Sequence, residues 1–251
     1  MGNLPNPLYT MGSPPRDEER YMRIEIDKEI IAEAKELNRV FQEQKSSDKN
    51  VAGRRSRKQK RQDAWIGFLM ELVYGKYLKK LGVSYVHVPM VKRDSSQPDF
   101  IVEGLTIDVK GTRSGAGMFM QPTYYGKDNL KWDLYVGFRT SWSGLGKVEE
   151  RKLEKIFAAG KKPFVEIIGF STKGFMKHIL AGNPVPDVWA DTGRKMWNGS
   201  GLEKNVPFDA ASENTKVFPP SLLFQEPLLR KALTRTDVVG KERFSVLFCE
   251  S

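Results

Sequence analysis

The sequence predicts an α/β fold, and three observations lead to it. Two long segments carry apolar residues at helical spacing, several short apolar runs bounded by Gly, Pro or Asp read as strands, and the two kinds of element alternate along the chain. With 251 residues, 39% hydrophobic and 29% charged, the chain has enough apolar side chains for a packed core.

Residues 1–18 are rich in Pro, Gly, Asn and Ser and read as a flexible tail. From Asp27 onward, Ile30, Ala34, Leu37 and Phe41 recur on one helical face, which predicts a helix over 27–44 with Asp27 as its N-cap. The run SSDKNVAGRRSRKQKRQ then breaks the pattern and places six basic residues between Arg54 and Arg61. It reads either as a loop or as the basic first turns of the next helix, so 19–62 forms an N-terminal helix plus a basic segment. DAWIGFLMELVYGKYLKKLG (63–82) is the most apolar helix of the chain, with Gly82 as its stop.

A strand is expected in VSYVHVPMV (83–91), and a hairpin in PDFIVEG–LTIDVKG (98–111), turning at Glu103-Gly104. Further strands are expected at 132–139 and 164–170, with helices at 147–160 and 172–182. The last segment, 183–251, reads as an extension on this core, with a helix near PSLLFQEPLLRKAL and a final strand in RFSVLFCE.

The chain carries 41 Lys and Arg against 31 Asp and Glu, a net charge of +10 that favours a polyanionic partner. No apolar run reaches the ~18 residues of a membrane span. The N-terminus lacks the charged and apolar regions of a secretory signal. One cysteine, Cys249, excludes a disulfide framework within the chain and any four-cysteine cluster. The reading is an intracellular protein, cytoplasmic or nucleoid-associated, with no membrane partner.

The chemistry concentrates at the hairpin. Side chains alternate along a strand, so Asp108 and Lys110 share one face and Ile107 and Val109 the other. The turn brings Asp99 back beside them. Two carboxylates this close repel unless a cation lies between them, and an oxygen-only donor pair suits Mg²⁺ or Mn²⁺ better than zinc. Glu71 stands in the middle of the apolar helix between Gly67 and Gly75, where a close approach to the sheet directs it toward the same place.

Glu in a GFLMEL helix, then PD, then DVK, resembles the PD-(D/E)xK nuclease superfamily over residues 63 to about 180. The resemblance implies a restriction-endonuclease-like core, a mixed central β-sheet flanked by helices, here with N- and C-terminal additions. It implies a catalytic set of Glu71, Asp99, Asp108 and Lys110. The three acids and the Val109 carbonyl would hold Mg²⁺, with Mn²⁺ as substitute, and Lys110 would assist the attacking water. Gln121 and Tyr125 have the QxxxY spacing with which an exonuclease-like branch contacts DNA, although QPTYY also reads as a loop.

Arg113 and Ser114 follow the lysine and suit a neighbouring phosphate; Arg54, Arg55, Arg57 and Lys58 suit the DNA backbone. His87 and His178 read as structural. Trp189, Arg194, Lys195 and Trp197 read as a satellite core or a base-stacking patch. The expected activity is hydrolysis of DNA phosphodiesters, by an endonuclease or an exonuclease, with a homodimer compatible. A non-catalytic DNA-binding subunit of a recombination, replication or defence complex is the alternative, and RNA is a further candidate substrate.

Overall fold

The computed structural model describes residues 21–45, 57–88, 97–112, 118–120, 130–142, 147–180, 216–218, 223–224, 226–235 and 237. In chain order the elements are β1 (Met22–Glu25), α1 (Lys28–Lys45), α2 (Arg57–Lys80), β2 (Val86–His87), β3 (Phe100–Val102) and β4 (Leu105–Thr112). There follow β5 (Met118–Met120), β6 (Leu134–Thr140), α3 (Lys147–Ala158), β7 (Phe164–Thr172), α4 (Lys173–Leu180), β8 (Lys216–Phe218) and α5 (Glu226–Leu233).

Six strands form one mixed sheet in the order β1-β7-β6-β4-β3-β2, and β5 pairs with β8 in a second, two-stranded sheet. The α/β expectation holds at this level. Within the large sheet only β4 and β6 run parallel; every other neighbouring pair is antiparallel. The β3–β4 hairpin turns through Glu103 and Gly104, both at positive φ (50° and 79°), the backbone pattern that matches the twist of a two-residue hairpin. Gly104 takes this conformation without a Cβ penalty, whereas Glu103 does not have that freedom.

The two faces of the sheet are buried by different partners. Ile107, Val109, Val136, Phe138 and Ile167 join Trp65, Phe68, Met70 and Tyr74 of α2, and Ile31 and Ala34 of α1, in the larger core. Leu153 of α3 and Leu229, Ala232 and Leu233 of α5 close the same cluster. Tyr135 and Ile168, from the opposite face, pack with Met118 of β5, Met176 of α4 and Leu223. α2 packs tightly on the sheet at Gly111, where a Cβ would come 2.7 Å from Met70 Cγ and 2.9 Å from Ile66 Cγ2. That close approach belongs to a strand glycine, while Gly75 of α2 backs onto Tyr85.

Several expectations change in detail. β1 was not anticipated: four residues of the segment before α1 pair with β7, so the expected N-terminal addition contributes a strand to the central sheet. Asp27 stands at the start of α1 and its carbonyl accepts the Ile31 N–H, but its carboxylate takes Lys162 Nζ at 2.8 Å and Lys76 Nζ at 2.9 Å instead of capping the helix. α2 begins at Arg57, so part of the basic run is helical. The expected final strand over 243–250 lies outside the described residues.

A bulge interrupts β6–β7 pairing. Gly137 pairs with Gly169 and Phe138 with Ile167, leaving Ile168 as the extra residue. Gly169, at φ 136°, allows Phe224 to form an antiparallel bridge to Phe170 on the other side of β7. Among the described residues no helix is long and apolar enough to cross a membrane.

Candidate functional site

The β4 strand sets the geometry of the hairpin. Gly111 faces α2, so by alternation Val109 and Ile107 do too, while Asp108, Lys110 and Thr112 project from the opposite face. Asp108 stands in register with Tyr135 and Lys110 with Gly137 of β6. Burial pushes the Tyr135 hydroxyl up to about 12; the Trp132 N–H it accepts works against that shift, and the neighbouring Asp108 charge adds to it.

Asp108 Oδ2 lies 2.6 Å from Lys110 Nζ, with both side chains largely buried. This contact is an ion pair without hydrogen-bond alignment, since Oδ2 is enclosed and has no hydrogen-bond partner of proper geometry. Asp99 sits one position beyond the Phe100–Ile107 register pair and follows the buried Pro98. Its N–H donates to Ile107 O and its Oδ2 accepts the Val109 N–H at 2.6 Å. The carboxylate therefore reaches across to the peptide between Asp108 and Lys110. A side chain–main chain bond of this kind fixes the carboxylate orientation through the sheet itself.

The turn end of the hairpin is anchored by Asp133, the residue before β6. Asp133 Oδ2 accepts both the Thr106 N–H (2.8 Å) and the Thr106 hydroxyl (2.7 Å), and the Thr106 hydroxyl oxygen accepts the Asp133 N–H (3.0 Å). This locks the hairpin to the strand that carries Tyr135.

Glu71 is in a different contact. Its Oε2 lies 3.2 Å from His87 Nε2, and the His87 ring stacks on Phe100 at 4.5 Å and 9°. Glu71, Asp99 and Asp108 are 2%, 2% and 5% exposed, so all three acids are held inside the protein surface. Sequence reasoning treated His87 as a packing residue. The stacking on Phe100 agrees with that, and the Glu71 contact goes beyond it. No sequence spacing announces the contact, because it arises from how α2 lies over β2.

The structure thus brings Asp108 and Lys110 together, ties Asp99 to the peptide between them, and pairs Glu71 with His87. Among the described residues no three His, Cys, Asp or Glu side chains converge on one ion position. Mg²⁺ requires less than that: it is commonly bound through one or two carboxylates plus water and substrate oxygens. The Asp99–Asp108 donor set, with one enclosed Asp108 oxygen lacking a hydrogen bond, fits such an ion.

Of the residues expected to contact DNA, Arg57 and Lys58 open α2, and Arg54, Arg55, Arg113, Ser114, Gln121 and Tyr125 lie outside the described residues. Sequence reasoning also missed a charged group two strands away. Glu166 of β7 accepts Arg23 Nε at 3.1 Å and Arg139 Nε, while the Arg23 guanidinium lies over Phe164 and that of Arg139 over Tyr21. An acid within the apolar run FVEIIGF was the available signal, but its partners come from strands distant in sequence.

No family model, no curated protein and no solved structure matches this chain.

Proposed function

We propose that this protein is a divalent-metal-dependent DNA nuclease that hydrolyses phosphodiesters, with its active centre at the β3–β4 hairpin. One observation carries the reading: two buried carboxylates and a mostly buried lysine gather at one end of a hairpin. Packing alone favours apolar residues there, because burying charge is unfavourable without a compensating partner. The order of elements supports it as well. A helix bearing Glu71 precedes the hairpin bearing Asp99, Asp108 and Lys110, and β6 and β7 of the same sheet and then α4 follow it, as the resemblance to PD-(D/E)xK nucleases implies.

In this reading Asp99, Asp108 and the Val109 carbonyl would hold Mg²⁺, which would supply charge to polarise the scissile phosphate and to acidify a bound water. The Val109 N–H donates to Asp99 Oδ2 and so fixes the direction of this carboxylate within the hairpin. Lys110 neutralises Asp108 in the resting protein. With a phosphate in place, Lys110 would turn to the phosphate oxygen and to the attacking water, which it would position as the ammonium or deprotonate as the neutral amine. Attack is in line, with inversion at phosphorus and no covalent protein intermediate. Glu71, held by His87, is assigned a second cation.

The test is incubation with supercoiled plasmid, linear duplex and single-stranded circles in Mg²⁺, Mn²⁺ or EDTA. Metal-dependent cleavage should fall by roughly 100-fold or more in Asp108→Ala and in Lys110→Ala, the range associated with loss of a positioned acid–base group. The substrate consumed separates endonuclease from exonuclease. Absence of cleavage, with DNA binding equal in wild type and variants, would instead favour a DNA-binding subunit that retains the hairpin charges as an internal ion pair.

A further inference from the structure

Four residues in direct register cross the sheet from the hairpin to its far edge: Thr112 pairs with Arg139, Arg139 with Glu166, and Glu166 with Arg23. Register partners project from the same face, so this row continues the face that carries Asp108 and Lys110. Its centre is acidic and covered; its flanks are cationic. The side chains of Arg23 and Arg139 are 48% and 26% exposed, against 9% for Glu166.

Both guanidiniums are oriented twice. Each donates its Nε–H to the shared Glu166 carboxylate, and each guanidinium lies over an aromatic ring, Arg23 over Phe164 at 4.8 Å and Arg139 over Tyr21 at 4.5 Å. Among the described residues neither arginine makes a hydrogen bond through its terminal Nη groups. Two planar donor forks are therefore fixed in direction with their outer N–H groups available. A guanidinium so presented matches the oxygens of a phosphate, and prior ordering lowers the entropy lost on binding.

We propose that Arg23 and Arg139 form a phosphate-binding pair that holds the DNA backbone on the sheet face leading away from the hairpin. The proposal rests on the nuclease reading only for the identity of the polyanion and its direction. With ~3.3 Å per residue along a strand and ~4.8 Å between strands, Arg139 lies about 8 Å from Lys110 and Arg23 about 10 Å beyond it. A row of that length spans several successive phosphates of one strand. Glu166 acts here as a positioning residue: it directs both forks without facing the polyanion itself.

The experiment is fluorescence anisotropy of the full chain with a labelled duplex and a labelled single strand, in EDTA, over a series of salt concentrations. Arg23→Gln and Arg139→Gln should each weaken binding. Together they should flatten the dependence of log K on log salt by about 2, the slope expected for two lost phosphate contacts. The double variant is also made with Glu166→Gln, so that no covered carboxylate is left alone, and thermal melting checks that it folds. Arg23→Lys with Arg139→Lys keeps the charges but loses the forks, and should regain the salt slope with only part of the affinity.

An unchanged slope and affinity in the folded triple variant overturns the proposal, as does a wild type that binds neither probe at low salt. The two readings fail separately. If nothing is cleaved yet the arginine variants lose binding, the nuclease assignment falls and the phosphate pair stands. If Asp108→Ala abolishes cleavage while the arginine variants bind as wild type does, the reverse holds.

Discussion

Replacing Lys110 by Met removes the counter-charge of a carboxylate that the fold has enclosed. Coulomb's law at an effective dielectric of ~20 gives roughly 6 kcal/mol of gross attraction at the observed 2.6 Å. Desolvation of two side chains only 16% and 7% exposed takes back much of it, and the net coupling should be about 2–3 kcal/mol. Lys110→Met alone should then destabilise the protein by about 3 kcal/mol and Asp108→Asn alone by about 2, while the double variant should lose about 2–3 instead of 5. Urea unfolding at pH 7 in EDTA measures all four corners of the cycle. Mg²⁺ adds a second reading: an ion held by Asp99 and Asp108 should restore stability to Lys110→Met, by about 2.7 kcal/mol at 100 times its Kd, and leave Asp108→Asn unaffected. Additive losses, with coupling below about 0.5 kcal/mol, would refute the claim that these side chains neutralise each other. A Mg²⁺ effect equal in both variants would refute Asp108 as a ligand.

Two other outcomes follow from contacts elsewhere in the fold. The Lys162 and Lys76 ammonium groups on Asp27 hold its carboxyl down to about 2 from an ordinary 3.8, so it contributes stability that is present above the higher value and lost as pH falls through the lower. With the carboxylate 35% exposed, solvent screening reduces the contribution to about 1 kcal/mol; Asp27→Asn should be that much less stable at pH 7, and urea titrations should show the gap closing between about pH 4 and pH 2. Gly169→Ala would place a Cβ 2.6 Å from Leu223 Cβ and from Phe224 O at φ 136°; a loss of about 3 kcal/mol and faster hydrogen exchange at the Phe224 N–H are expected, and a loss below 1 kcal/mol would contradict this geometry.

The hairpin and its charges were legible because their signals are local. Alternation over LTIDVKG gives the two faces, Glu103-Gly104 gives the turn, and two residues separate Asp108 from Lys110. The long apolar helix was legible for the same reason. What escaped depends on distant pairing. MRIE carries too few residues to show a period, and it becomes a strand only because the β7 edge is there to receive it. Glu71 of α2 meets His87 of β2 only once the chain has folded, and Glu166 draws its arginines from two other strands. Asp27 has the residue type of an N-cap, yet two lysines brought in by tertiary structure take its carboxylate. In each case local propensity named the element or the residue type, and the partner was chosen by the fold.

The pairing of β1 with β7 also orders events in time. Arg23 and Glu166 are 143 positions apart, so at ribosomal rates of 5–20 residues per second the first strand waits roughly 7–30 s for its neighbour to be made. During that interval α1, α2, the β3–β4 hairpin and β6 can pack on one another, while β1 has no strand to receive it. The sheet edge closes last, when β7 emerges between two strands that already exist. A chain stalled before that strand would have its hairpin acids and lysine synthesised, but neither the carboxylate that aligns Arg23 and Arg139 nor the sheet that carries them. Ability to grip a polyanion on this face would thus be acquired late in synthesis, after the hairpin residues have been made.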